Sequence, residues 1–218
     1  MEKNVAIMMA DLSGYSALTE RHGAVAAANL IDKYMSIAEK SLVSDCKVHQ
    51  QTGDEIMFVS DSSDVILATA RQLATNTANE EYFLQVHGGL HYGKVLKRGG
   101  NYFGSTVNMV ARIAGRAAAG TFYGSAEFVN SVRDKSHCTF KSQGTHQFKN
   151  FSVEKEVFEI GFGKIQTNHI DPVCRMRILH PESAIRNSSA DQLFFCSAQC
   201  LDAYKESNMF LHAMRHVN

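Results

Sequence analysis

With 218 residues, the chain has room for one full hydrophobic core and a second small one. Lysine plus arginine and aspartate plus glutamate each number 22, so no positive surplus recommends nucleic acid as a partner, and 44% hydrophobic residues argue against disorder. No apolar run approaches the ~20 residues that span a bilayer, and Met1 to Asp11 is too short for a cleavable signal; the expectation is a cytoplasmic protein with neither membrane nor nucleic-acid partner.

Val5 to Ala10 is a short apolar run that stops at Asp11 and the turn residues Ser13 and Gly14, as a buried strand ending in a polar corner does. Ile31, Tyr34, Met35, Ala38 and Leu42 then recur at helical spacing, which predicts a long helix covering a sheet. Lys47 to Gln50 and Glu55 to Ser60 predict two strands around the turn Thr52-Gly53-Asp54. A second helix is expected over Asp64 to Thr77. A long strand follows over Phe83 to Leu96, its Gly88-Gly89 pair suggesting a bulge. A third helix spans Gly104 to Ala118, and short strand and helix signals continue to Ile160. The order β-α-β-β-α-β predicts an α+β, ferredoxin-like core, a mostly antiparallel sheet with helices on one face.

Asp11 at a strand end and Asp54 in a hairpin turn meet at one sheet edge if their strands are neighbours, and paired carboxylates there suit hard divalent cations. Taken singly, each also reads as an ordinary turn residue. In the third helix, Asn108 and Arg112 lie one turn apart beside the apolar stripe. An amide and a guanidinium so placed suit a sugar and a phosphate; a solvated helix edge is the plainer alternative.

These residues carry a resemblance. Ala10-Asp11-Leu12-Ser13-Gly14-Tyr15 and Thr52-Gly53-Asp54 resemble the two metal-binding motifs of class III adenylyl and guanylyl cyclases. The run from Tyr102 to Ile113 resembles the family's transition-state helix, and Gly89-Leu90-His91-Tyr92-Gly93 the strand before it. The resemblance implies a homodimeric enzyme that closes a nucleoside triphosphate into a 3′,5′-cyclic monophosphate. Asp11, Asp54 and the Leu12 carbonyl would hold two Mg²⁺ or Mn²⁺ ions, and the catalytic pair Asn108 and Arg112 would come from the partner protomer. At the family's base-reading positions stand two neutral amides, Gln50 and Asn101, each both donor and acceptor. Adenine, and hence ATP and cyclic AMP, is the first expectation; relaxed specificity or a silent regulatory domain is the alternative. Lys149 resembles a family lysine near the triphosphate, and is otherwise a solvated charge.

Cys174, Cys196 and Cys200 crowd the end of the chain, a pattern that favours metal or thiol chemistry over a disulfide frame. Asp171-Pro172-Val173-Cys174 and Phe194-Phe195-Cys196-Ser197-Ala198-Gln199-Cys200 resemble a YHS module. Thiolates four apart at a helix start can meet one ion, zinc or another transition metal, with His180, His212 or His216 completing the set; equally, the thiols can be buried packing residues. The expected division is a cyclase domain at 1–162, a linker at 163–169 and the module at 170–218.

Overall fold

A computed structural model describes residues 1–163, 169–187 and 192–215, without the side chains of 208–215. The expected linker falls largely outside these residues. The chain runs β1 (Glu2–Ser13), α1 (Tyr15–Lys40), β2 (Lys47–Thr52), β3 (Glu55–Ser60), α2 (Ser63–Ala78), β4 (Gln85–Arg98), β5 (Asn101–Phe103), α3 (Ser105–Ala114), β6 (Phe122–Ser125), α4 (Ala126–Ser131), β7 (Thr139–His146) and β8 (Lys155–Gly161). Four short strands follow: β9 (His169–Ile170), β10 (Arg177–Ile178), β11 (Ile185–Arg186) and β12 (Phe194–Phe195). Helix α5 (Ala198–Arg215) comes last.

The main sheet has the order β2-β3-β1-β4-β6-β8-β7, with β5 folded back on β4. Every pairing in it is antiparallel except β4 with β6, as the alternation of hairpins and one crossover requires. This is the expected α+β architecture with its βαββαβ core.

One expectation is corrected. Helices do not occupy a single face. Because side chains alternate along a strand, Ala6, Met8, Ala10 and Leu12 of β1 join a core with Leu18 and Tyr34 of α1, Ile66 and Leu73 of α2, and Phe128 of α4. Val5, Ile7 and Met9 point the other way and pack against Val110 and Ala114 of α3. The helix bearing Asn108 and Arg112 therefore lies alone on the second face among these four.

The second correction explains how α3 gets so close. Gly88 and Gly89 mark no bulge, since β1 pairs with β4 in unbroken register from Glu2↔Leu96 to Ser13↔Gln85. Instead, a Cβ on Gly89 would lie 2.7 Å from the Val110 carbonyl oxygen and 2.8 Å from Ala114 Cα. A Cβ on Gly88 would lie 2.8 Å from the Met9 carbonyl oxygen and 2.9 Å from the Phe122 ring. The glycines are there for close approach of backbone on either face.

Beyond β8, Cys174, Phe195 and Cys200 form a separate small core with Ile185, Leu201 and Tyr204 around it. This unit is docked on the main fold. The buried Arg177 guanidinium donates to the Thr77 carbonyl at the end of α2 (2.8 Å), and the Arg177 amide donates to the Phe83 carbonyl (2.8 Å). The Leu179 amide donates to Glu81 Oε2 at 2.8 Å.

Candidate active site

Strand β1 lies between β3 and β4, so its end and the β2–β3 turn fall at one edge of the sheet. Asp11 and Asp54 meet there, close enough for each carboxyl to alter the other's titration. Gly53 makes the turn possible with φ 61°, and the Leu12 amide donates to Asp11 Oδ1 at 3.0 Å. Burial pushes the Asp54 carboxyl up to about 6, with the Asp11 charge as the next cause. Asp11 is also raised, chiefly by burial, and Glu55 is raised by burial and then by the Asp54 charge.

Among the described residues, no lysine or arginine forms an ion pair with these three acids. The nearest basic group is His87, directly across from Asp11 in the β1–β4 register, its Nε2 4.0 Å from Asp11 Oδ2. Burial lowers the His87 pKa, and its Nδ1 is held 2.9 Å from Ser13 Oγ, so the ring supplies little countercharge at neutral pH. Beneath them Tyr34 is wholly buried, its hydroxyl unpartnered and held protonated by burial first and by the same carboxylates after it. Clustered carboxylates raised by burial and by one another's charge are suited to a hard divalent ion. His87 and Glu55 escaped the sequence reading. The strand register, which sets His87 opposite Asp11, was the signal for the first.

Asn108, Arg112 and Lys149 come together along one open groove of about 410 Å³. Asn108 and Arg112 project from the exposed face of α3, whose inner face supplies Met109 and Ile113 to a core with Phe148 and Val157. Phe151 packs against the same core, so Lys149 is carried on a turn pinned to α3 from both sides. The groove includes neither Asp11 nor Asp54.

Gln50 and Asn101 are both exposed, within β2 and at the start of β5. Their neighbours His49 and Tyr102 stack edge to face with centroids 4.8 Å apart, which ties the two strands together there. The Gln50 amide nitrogen donates to Thr52 Oγ1 at 3.2 Å. The register slips by one residue between Val48 and Gln50, a bulge that turns the strand beside this position.

The sulfurs of the three clustered cysteines converge, but their imidazole neighbour is a surprise. His180 is exposed and pairs with Glu182 at 3.2 Å, away from the thiols; the His212 side chain and His216 lie outside the described residues. The ring that reaches the sulfurs belongs to His22 of α1. Nothing in local spacing could have chosen it, 152 residues before Cys174.

Comparison with known proteins places this fold. An adenylate cyclase of Glutamicibacter nicotianae is 28% identical over 160 residues, which is 73% of this chain and 40% of the relative. This chain thus spans well under half the length of the curated relatives it matches. Among solved structures, an adenylate cyclase of Trypanosoma brucei superposes with TM-score 0.68 at 14% identity, covering 88% of this chain and 95% of that one. The guanylate cyclase domain from Catenaria anguillulae in complex with GTP gives TM-score 0.61 at 16% identity, covering 75% and 100%. No family model matches the chain. The sheet order, the helix pressed onto its second face and the acidic edge together make this the fold of the class III nucleotidyl cyclase catalytic domain.

Proposed function

We propose that the protein is a nucleotidyl cyclase, converting a nucleoside triphosphate, with ATP as the first choice, into its 3′,5′-cyclic monophosphate and pyrophosphate. The observation that carries this reading is the Asp11–Asp54 pair, half-buried, raised in pKa and, among the described residues, without a lysine or arginine to neutralise it.

Asp11, Asp54 and the Leu12 carbonyl would hold two Mg²⁺ or Mn²⁺ ions, whose chemistry is to acidify the ribose 3′-hydroxyl and neutralise the departing pyrophosphate. The side chains of this chain do the rest. Asn108 orients the ribose, and Arg112 faces the charge that grows on the α-phosphoryl oxygens. Lys149, pinned beside them, binds the triphosphate tail. Gln50 and Asn101 read the base, and as neutral amides they satisfy adenine without strictly refusing guanine.

The groove at Asn108, Arg112 and Lys149 lacks the acidic pair, which supports a homodimer whose sites are each completed across the interface. Residues 1–162 form the catalytic unit in this reading, since Phe162 still packs on Phe122 with centroids 5.5 Å apart. The YHS-like module begins near residue 170. Among the described residues, no helix is long and apolar enough to cross a membrane.

The test is incubation of the purified chain with each of the four ribonucleoside triphosphates and Mn²⁺, with products identified by mass spectrometry. Cyclic AMP as the main product is expected. Absence of any cyclic product would leave a silent regulatory domain in its place.

A further inference from the structure

Four side chains from three distant stretches of sequence converge at one point outside the acidic edge. The ligand atoms of His22, Cys174, Cys196 and Cys200 all lie within 4.8 Å of one another. The Cys196 sulfur is 3.5 Å from that of Cys174 and 3.6 Å from that of Cys200. His22 Nε2 stands 3.6 Å from both the Cys196 and the Cys200 sulfur. All three cysteines are free, and these separations are far beyond the ~2.05 Å of a disulfide.

Geometry decides between packing and coordination. A regular tetrahedron around Zn²⁺, with Zn–S about 2.3 Å and Zn–N about 2.0–2.1 Å, has sulfur–sulfur edges of about 3.8 Å and sulfur–nitrogen edges of about 3.6 Å. Four of the six separations, 3.5–3.6 Å, are close to those edges, and the two from Cys174 to Cys200 and to His22 lie within 4.8 Å. Thiols that merely fill a core have no reason to present their sulfurs to one imidazole nitrogen at that distance.

The turns that present the thiols are built in advance. Asp171 is fully buried, and its two carboxylate oxygens accept from the amides of Val173 (2.8 Å), Cys174 (3.2 Å) and Cys196 (2.8 Å). One side chain thereby fixes both cysteine-bearing turns, as an outer-shell carboxylate does in a metal site. Cys200 sits in the first turn of α5, where its amide donates to Ser197 Oγ at 3.2 Å. Arg175, just after Cys174, holds φ 68°, the sharp corner that lets the first turn close.

We propose that His22, Cys174, Cys196 and Cys200 form a tetrahedral site for one zinc-like divalent ion, which clasps the C-terminal module onto the first helix of the main fold. The clasp closes at a mechanically distinctive place. His22 is the last residue before Gly23, whose φ 82° and ψ 170° break α1 in two. At the start of the same helical segment, a Cβ on Gly14 would lie 2.5 Å from Arg175 Cβ and 2.8 Å from its Cγ. The module thus presses on the segment at both ends, and Gly14 is three residues from Asp11. Occupancy of the site fixes the Tyr15–His22 segment that leads out of the acidic edge.

The experiment uses the full chain, purified without chelator. Elemental analysis is expected to give one equivalent of zinc per chain, and replacement by Co²⁺ should produce thiolate-to-metal absorption in the near ultraviolet with intense tetrahedral bands in the visible. His22→Ala leaves the three thiols in place and removes only a half-exposed ring. In competition with a chromophoric chelator it is expected to bind Zn²⁺ at least about tenfold more weakly and to shift the cobalt spectrum, whereas His180→Ala should match the parent in both. Circular dichroism of each variant checks that the fold persists. A folded parent that takes up no zinc or cobalt on addition overturns the site, and a His22→Ala protein indistinguishable from the parent in affinity and spectrum overturns the clasp. Neither readout depends on cyclase activity.

Discussion

Gly89→Ala isolates the contact that sets α3 against the sheet. A methyl group there would meet the Val110 carbonyl oxygen at 2.7 Å and Ala114 Cα at 2.8 Å, with the Ala114 amide nitrogen closer still. Those are helix backbone atoms, which cannot rotate aside as a side-chain tip can. Relief of the tightest of these contacts to an ordinary separation of about 3.4–3.5 Å requires α3 to lift by somewhat more than about 1 Å, and overpacking on that scale costs about 1–3 kcal/mol. Because Val5, Ile7, Met9 and Val110 share that interface, the cost should sit at the upper end. Urea denaturation followed by circular dichroism should show a lower midpoint with an unchanged slope. The same lift displaces Asn108 and Arg112, and misplacement by ~1 Å can cost on the order of 100-fold in rate; cyclic-nucleotide formation should fall accordingly, with the substrate KM less affected. Gly115→Ala is the control. It lies at the end of the same helix with φ −66°, and its Cβ would meet the Ala111 carbonyl oxygen at an ordinary 3.5 Å. A Gly89→Ala protein as stable as the parent to within about 0.5 kcal/mol would refute the argument that these glycines exist for close approach.

Arg112→Ala should lower kcat by about 10²–10³ with a much smaller change in KM, as expected for a group that meets charge only in the transition state; steady-state kinetics with Mn²⁺ and ATP would show it, and an equal fall in affinity alone would contradict the role. Asp54→Asn should abolish cyclisation yet, without divalent ions, raise stability at pH 8, because a carboxyl raised to about 6 penalises the charged folded state above that pH; with the site half-exposed, the gain is discounted to about 1 kcal/mol. Adding Mn²⁺ should stabilise the parent and leave the variant unmoved, read as a shift in melting temperature. His91, whose Nδ1 is 2.7 Å from Ser125 Oγ, is lowered to about 4, with burial as the largest cause. Its folded pKa lies below the unfolded value of 6.5, so stability is lost as pH falls from 6.5 towards 4, by up to roughly 3 kcal/mol. The raised acids Asp11, Asp54 and Glu55 act in the opposite direction over the same range, so the difference between the parent and His91→Gln, measured by denaturation at pH 7 and pH 4.5, carries the signal.

What was legible in the sequence is what local chemistry determines. The turn at Gly53 and the amphipathic stripe of α3 announce themselves within a few residues, and with them Asp54, Asn108 and Arg112. The pairing of Asp11 with His87 is legible only after the β1–β4 register is known, because residues 76 apart are related by hydrogen bonding and not by spacing. The face occupied by α3 was hidden for a related reason. Gly88-Gly89 announces a missing side chain, and whether that space admits a bulge or a helix depends on what the sheet carries over it. His22 is the limiting case, an unremarkable half-exposed helix residue until the module folds against it.

The two sites are therefore not independent features placed on one chain. Asp11 ends the strand, Gly14 accepts Arg175 against its bare Cα, and His22 reaches the thiols where α1 breaks at Gly23. A rigid path of one helical segment joins the acidic edge to the cysteine cluster. Any change at the cluster that moves His22 must be absorbed either at the Gly23 break, where nothing lies within 4 Å of a Cβ and the chain is free to turn, or at Gly14, where Arg175 leaves no room. The open side is the softer one, so displacement is expected to swing the rest of α1 about Gly23 and to spare the Asp11 end for as long as Arg175 stays seated on Gly14.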